Sequence, residues 1–433
     1  MLKSDHYAVV VVGAGPAGLI AAIESYKPSQ QILILEKMPK PALKLTISGK
    51  GRCNITNDAD INDFIAHFGK NGRFLKFSFA EFSNKKLLQY FERLGVRFKL
   101  ERGGRYFPQG DRAEDVVNAL LNKVKSLHIP LIAHAEVTGI TNSPENTFIV
   151  TVCSSARTDK KNPQIFQITA DNIVLAAGGK SYPKTGSNGA GYALAAQLGH
   201  MITPLFPALV PLITEGNTAQ RLQGLSLKNV QVNVWCNHKK IDERFGEMVF
   251  TDFGLSGPII LSLSNQIVKL IESKQKVFIS IDFKPALSHR LIDQRLLREI
   301  NEHGKKGFKN LLKNLLPRKL IPIFTERLHI LKEKQLNTIN AEERKKLKNL
   351  LKEFQLEIIG HRSFDNAIAT SGGVSINEIN PQTMESKLVN GLYFAGEIID
   401  VDADTGGFNL QAAFSTGWVA GRQLRGQVST CQL

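Results

Sequence analysis

Cysteine is scarce in this chain of 433 residues: Cys53, Cys153, Cys236 and Cys431 stand far apart, with no CxxC pair and no metal-ligand spacing. That argues against a zinc site, an iron–sulfur cluster or a disulfide framework, and fits reduced thiols in a cytoplasmic setting. Tryptophan occurs twice, and no tandem aromatic platform of the kind that stacks successive bases is present. No apolar run reaches membrane-spanning length, so no membrane is expected as a partner. The stretch Ala8 to Ile23 comes nearest to a signal sequence. It is interrupted by Gly13-Ala-Gly-Pro16, and Asp5 and His6 stand where a basic region should precede it. Acidic residues are also short, 39 against 55 Lys and Arg, which leaves a net charge of +16 and a pI near 9.6. Such a field suits a protein that must find a polyanion. Between Lys269 and Glu353 there are 21 Lys and Arg against 10 Asp and Glu, so most of the excess sits in one segment.

What is abundant is glycine, placed after apolar runs. Val9 to Val12 leads into Gly13-Ala-Gly15-Pro-Ala17-Gly18, then a helical pattern, then Ile32 to Leu35, closed by Glu36. Strand, glycine turn, helix, strand and acid is the order of a dinucleotide-binding unit. Gly13 allows the tight turn, Gly15 lets backbone approach a pyrophosphate, and Gly18 lets the helix pack close to the sheet. Glu36 can accept hydrogen bonds from ribose hydroxyls. A second buried strand, Asn172 to Leu175, ends in Ala177-Gly178-Gly179, as if to bring backbone to the middle of a long cofactor.

Leu45 to Asn57 is too rich in glycine for a regular element and is expected as an ordered loop lining the cofactor. Phe79 to Leu94 has helical spacing, and Asp111 is a candidate N-cap for a helix around Val116 to Val124. Leu131 to Ala135, Val137 to Ile140 and Phe148 to Val152 suggest a small antiparallel layer, with Ser154 to Gln164 as a hairpin tip and Phe166 to Ala170 returning. His200 to Ile260 is strand-rich, and Phe250 to Pro258 is a glycine-rich loop feeding a helix. Ser288 to Lys352 carries long basic helical patterns broken at Pro317 and Pro322. The tail adds a strand ending in Gly396-Glu397 and a glycine turn, Gly406-Gly407-Phe408-Asn409-Leu410, that opens a small-residue helix. A nicotinamide enzyme needs no such tail, whereas FAD runs on past the pyrophosphate to a flavin ring. The helix opening near Asn409 can aim N–H groups at the flavin N1/C2=O edge.

The fold class expected is therefore α/β, a Rossmann-like FAD-binding domain assembled from both chain ends, with an inserted β-rich domain and a helical subdomain. The boundaries expected are 1–195 and 354–433 for the split part, 196–268 for the β-rich insert and 269–353 for the basic helices. FAD is the expected cofactor. No second complete glycine fingerprint marks a nicotinamide site, so NAD(P)H is expected only as a transient electron donor.

The motifs Ser48-Gly-Lys-Gly-Arg-Cys-Asn-Ile-Thr-Asn57, Leu175 to Tyr192, Phe250 to Pro258, Ala369 to Val374 and Leu392 to Gly421 together resemble the BaiN/YhiN-type flavoproteins, which are NAD(P)/FAD-dependent oxidoreductases. The resemblance spans essentially the whole chain. It implies a flavoprotein with a β-rich insert and a helical subdomain. One branch of that family, RdsA-like, reduces uridine to dihydrouridine in large-subunit ribosomal RNA, and another is linked to bile-acid dehydroxylation. With it, the cofactor contacts extend to Ala17, Lys37, Lys44, Ser48, Gly49, Gly51, Arg52, Asn54 and Val137. The basic helices favour ribosomal RNA as the partner, held through phosphates with the target base extruded. Arg52 is then a candidate donor to the uracil O4 or to phosphate, and Cys53 a candidate acid whose thiol pKa Lys50 and Arg52 could lower. The alternative for Cys53 is a small packing residue of the loop. Lys50, Arg52 and Arg105 are equally candidates for flavin or RNA phosphate. Three functions stay open: an rRNA-modifying reductase, a reductase of a small-molecule enone, and a non-catalytic flavoprotein that binds ribosomal precursors.

Overall fold

In the computed structural model, residues 4–143, 147–154 and 164–426 are described; Cys431 and most of the expected hairpin tip between Ser154 and Gln164 lie outside them. The chain divides into two compact units, Met1–Pro207 together with Phe364–Leu433, and Ala208–Ser363.

The first unit is built on a seven-stranded sheet. His6–Val12 lies between Ile32–Leu35 and Gln164–Leu175, parallel to both. Leu131–Ile132 extends the parallel edge beyond Ile32–Leu35. Strand Gln164–Leu175 then serves two neighbours. Its first half pairs antiparallel with Phe148–Ser154, and its last three residues pair parallel with Leu392–Phe394. The expected separate antiparallel layer is thus part of the main sheet, because one 12-residue strand runs through both regions.

The helices Pro16–Ser25 and Phe408–Leu424 pack closely because small residues face each other. A Cβ on Gly417 would stand 2.3 Å from the Ala17 carbonyl oxygen, and one on Gly421 would stand 2.5 Å from that of Ala21. The two ends of the chain are therefore locked by backbone approach that larger side chains would forbid.

Several local expectations change. Phe79 to Leu94 is two helices, Lys76–Glu81 and Asn84–Arg93. The carbonyl of Phe82 accepts from Gln411 and Ser415, and Ser83 caps the second helix at the Lys86 amide, so the helix cannot run through. Asp111 is not an N-cap: its carboxylate is held by Arg52 and Lys99, and Arg112 occupies the cap position without a side-chain bond. The stretch expected as a loop from Leu45 begins inside a short helix, Leu43–Ile47, and its glycines form the tight turn Ser48–Gly51 that follows.

The second unit is a closed six-stranded barrel with Lys239–Phe250 and Ser226–Cys236 as its longest strands. A short strand, Gly254–Ser256, forms inside the expected Phe250 to Pro258 loop. Val277–Asp282 and Phe354–His361 complete the barrel on either side of the basic helices. Those helices are His289–Glu302, Phe308–Leu315, Leu320–Leu328 and Ala341–Lys352. Pro317 does interrupt them, whereas Pro322 sits in the first turn of Leu320–Leu328, where its missing N–H leaves no hydrogen bond unmade.

Candidate cofactor and active site

The carboxyl ends of the parallel strands meet in one place, where open α/β sheets bind ligands. Gly13 follows His6–Val12 with φ +102°, and a Cβ there would be 2.6 Å from the Ala176 carbonyl oxygen. Gly18 is tighter still, its missing Cβ 1.9 Å from the Gly13 oxygen. Gly15 differs from both. It caps helix Pro16–Ser25 with extended backbone, and a Cβ added there meets nothing within 4 Å. Open space lies beside bare backbone at a helix N-terminus, the geometry that accepts phosphate.

Glu36 lies alongside. Its two oxygens accept the amides of Ala14 and Met38, each at 2.8 Å. Each oxygen keeps a lone pair for a ribose hydroxyl. Burial raises the Glu36 pKa above the ordinary carboxylate value against the pull of those amides. Lys37 bonds Asn188 through its ammonium group, and Val137 is buried within the sheet.

Strand Gln164–Leu175 delivers Gly178 and Gly179 to a polar cluster. The Glu397 carboxylate takes Lys44 at 2.6 Å on one oxygen, and the Ser181 hydroxyl and the Thr370 amide, both at 2.9 Å, on the other. Lys44 also donates to Ser181. A Cβ on Gly179 would lie 2.5 Å from the Thr370 hydroxyl, so glycine is required for the cluster to close. Glu397 is therefore held in place by an ion pair and two further hydrogen bonds. Ala177 contacts Gly191, and Gly396 turns with φ +79° against Ala17.

The arginine–cysteine loop and the tail glycine turn abut. A Cβ on Gly407 would be 2.5 Å from the Thr56 carbonyl oxygen, and Asn57 donates to the Gly406 carbonyl. Phe408 is buried, and the Asn409 side chain is spent on Ala403 at 2.9 Å in both directions. What the helix offers a ligand is thus backbone, the N–H groups of Phe408, Asn409 and Leu410 in its first turn. On the loop, Gly49 and Gly51 have positive φ, and the Ser48 hydroxyl bonds the Leu45 carbonyl. The Asn54 side-chain oxygen is buried without a hydrogen-bond partner, as a group awaiting a ligand donor would be.

One expectation for catalysis is corrected, and another is constrained. Cys53 is fully buried, and burial pushes its thiol up to about 12, the opposite of the lowered value expected from Lys50 and Arg52. The guanidinium of Arg52 is committed through Nε and Nη2 to Asp111 and Glu101 and lies 4.1 Å over the Phe107 ring, which leaves Nη1 for any other acceptor. A third group belongs to no local sequence motif. His67 bonds Asp404 through Nδ1 at 3.0 Å, stacks on Phe408 with ring centroids 3.9 Å apart, and remains about one-third exposed.

Among the described residues no cluster of three or more His, Cys, Asp or Glu could hold a metal ion, and no helix is long and apolar enough to cross a membrane. The glycine cradle at a helix N-terminus, the acid at the second strand and the tail helix aimed back at the same sheet define a Rossmann-type FAD-binding fold. The chain belongs to the HI0933-like protein Rossmann domain family, whose model matches residues 7–423. A 3-dehydro-bile acid delta(4,6)-reductase of Clostridium scindens is 30% identical over 414 residues, covering 95% of this chain and 97% of that protein. A ribosomal RNA dihydrouridine synthase of Escherichia coli is 26% identical over 420 residues, covering 97% and 98%. Among solved structures, the 3-ketosteroid delta1-dehydrogenase of Sterolibacterium denitrificans superposes with TM-score 0.54 at 11% identity, over 98% of this chain and all of that one. The chain is a flavoprotein-family oxidoreductase.

Proposed function

We propose that this protein is an FAD-dependent reductase that converts a uridine of 23S ribosomal RNA to dihydrouridine. The open space at Gly15 and the unpartnered Asn54 oxygen fit the pyrophosphate and flavin of FAD. When bound, the flavin supplies a hydride to the C5=C6 bond of the uracil, with NAD(P)H as the electron donor. The chain's own part is to bind, orient and protonate. Gly15 and the N-terminus of Pro16–Ser25 hold the phosphates. The first turn of Phe408–Leu424 faces negative charge with its N–H groups. His67, oriented by Asp404, holds at Nε2 the proton that completes the reduction. This takes over the role first assigned to Cys53, whose neutral thiol is fully buried.

The observation that carries RNA as substrate is charge. Lys309 and Lys313 on helix Phe308–Leu315, and Lys305, Lys306 and Arg318 in the turns flanking it, are exposed, and none forms an ion pair among the described residues. A neutral or singly charged small molecule gains nothing from such a surface, whereas a polyphosphate backbone gains affinity and encounter rate. The second reading, a reductase of a steroid-like enone, is favoured by the 30% identity to the bile-acid reductase. The test is mass spectrometry of ribosomal RNA from cells lacking the gene. Loss of one dihydrouridine supports the RNA reading. An unchanged map, with enone reduction by the purified protein, replaces it with the steroid reading.

A further inference from the structure

The chain has 24 phenylalanines, all among the described residues, and Phe245 alone is exposed, at 61%. It sits in the barrel strand Lys239–Phe250, at the edge of a groove of about 460 Å³. Phe283, Lys284, Pro285 and Leu287 form the facing wall, and Asn229 a corner. The strand carrying Asn229 slips register between Leu227 and Val230, which puts a bulge beside the groove.

The facing wall is held rigidly. Phe283 packs edge-on against Phe324 and Phe354, and its amide donates to the Leu351 carbonyl. Lys352 reaches from the last basic helix to the carbonyls of Lys284 and Leu287 and forms a mostly buried ion pair with Asp282 at 2.5 Å. A wall fixed by these contacts lowers the ordering cost of binding.

Its charge is uncompensated. Lys284 is half-buried and has no ion-pair partner among the described residues, and the Arg295 Nε is buried without a hydrogen-bond partner. Nearby acids are already committed: Asp282 to Lys352 and the Lys284 amide, Asp293 to Arg344 and Lys348. Burial, with Arg295 as a second cation, pushes the Lys284 ammonium below its ordinary pKa. Lys228 adds an exposed cation in the bulge next to Asn229. An anion is what Lys284, the cation lining the groove, lacks.

We infer that this groove binds an unstacked nucleotide of single-stranded RNA, with the base on Phe245 and a backbone phosphate at Lys284. The inference rests on the RNA reading above and adds the place on the second unit where the strand is gripped. Aromatic stacking is tolerant of sequence, so the groove would hold a flanking nucleotide and not select it.

The test uses the full flavin-loaded chain and a short uridine-containing RNA oligonucleotide, followed by fluorescence anisotropy across a salt series. Phe245→Ala should weaken binding roughly tenfold, the loss of one base stack. Lys284→Gln should flatten the salt dependence by about 0.7 in log–log slope, the value for one phosphate contact on a single strand. Inorganic polyphosphate, which has charge but no bases, should bind Phe245→Ala and the parent protein equally. Phe245 is exposed, and a melting curve checks that the variant folds. If the parent protein binds RNA and both variants match it, the groove assignment is overturned while the RNA reading stands. If the parent protein binds no RNA, both fall. Loss of polyphosphate binding in Phe245→Ala overturns the stacking role. Capture of a steroid carboxylate in place of RNA gives the groove another occupant and overturns the inference.

Discussion

Alanine at Gly15 and alanine at Gly18 should behave oppositely, and the contrast separates ligand space from packing space. At Gly18 the new methyl would stand 1.9 Å from the backbone oxygen of Gly13, which cannot move without opening the first turn. Overpacking of this kind costs about 1–3 kcal/mol, and a backbone obstacle puts Gly18→Ala at the upper end. At Gly15 the methyl meets nothing within 4 Å, and the backbone there is ordinary for alanine. Flavin-free Gly15→Ala should therefore lose only the modest preference for glycine over alanine at an N-cap, about 0.5–1 kcal/mol. Its cost falls on FAD. A methyl pressed against a phosphate by about 1.5–3 kcal/mol corresponds to roughly ten- to a hundredfold weaker binding. Thermal melts of the flavin-free proteins and FAD titration by fluorescence quenching give both numbers. Normal FAD affinity in Gly15→Ala would refute the cradle, and a large loss of apo-stability would show that the space is not open.

Other outcomes follow from single residues. Burial raises Glu24 to about 7, against a reference of 4.5, despite Arg422, Arg425 and Lys123. The folded state then keeps a proton that the unfolded state releases, so stability falls as pH rises from about 4.5 to 7, by up to about 3 kcal/mol. Denaturant melts across that window should show the slope, and Glu24→Gln should remove it; an unchanged slope would exonerate Glu24. His67→Gln should keep FAD and its reduction by NAD(P)H while slowing product formation roughly a hundredfold or more. Parent-level turnover would remove His67 from the mechanism. Cys53 should resist iodoacetamide at pH 8 in the folded protein and react after unfolding, as peptide mapping would show. Labelling at the rate of a free thiol would contradict its burial.

The nucleotide-binding half was legible because its constraints are local. Three glycines, a helix start and an acid at fixed spacing impose the same backbone wherever they occur, and Gly13 and Gly18 have the turn and the close contact their positions required. Partners distant in sequence were not legible. Asp111 has the composition of a helix cap but lies across from Arg52 and Lys99, which claim it. His67 and Asp404 are 337 residues apart, and neither belongs to a local pattern. Nor does local periodicity reveal that Val277–Asp282 and Phe354–His361 pair with each other, since the basic helices separate them. Arg52 and Cys53 stood in a telling motif, yet burial and ion pairing, which only the fold determines, decide what each can do.

The most direct test of the central claim supplies the purified flavin-loaded protein and NAD(P)H to ribosomal RNA lacking its dihydrouridine, and reads nucleotide masses afterwards. A single uridine should gain two hydrogens, and high salt should suppress the reaction. Flavin reduction by NAD(P)H with every uridine unchanged would contradict the claim.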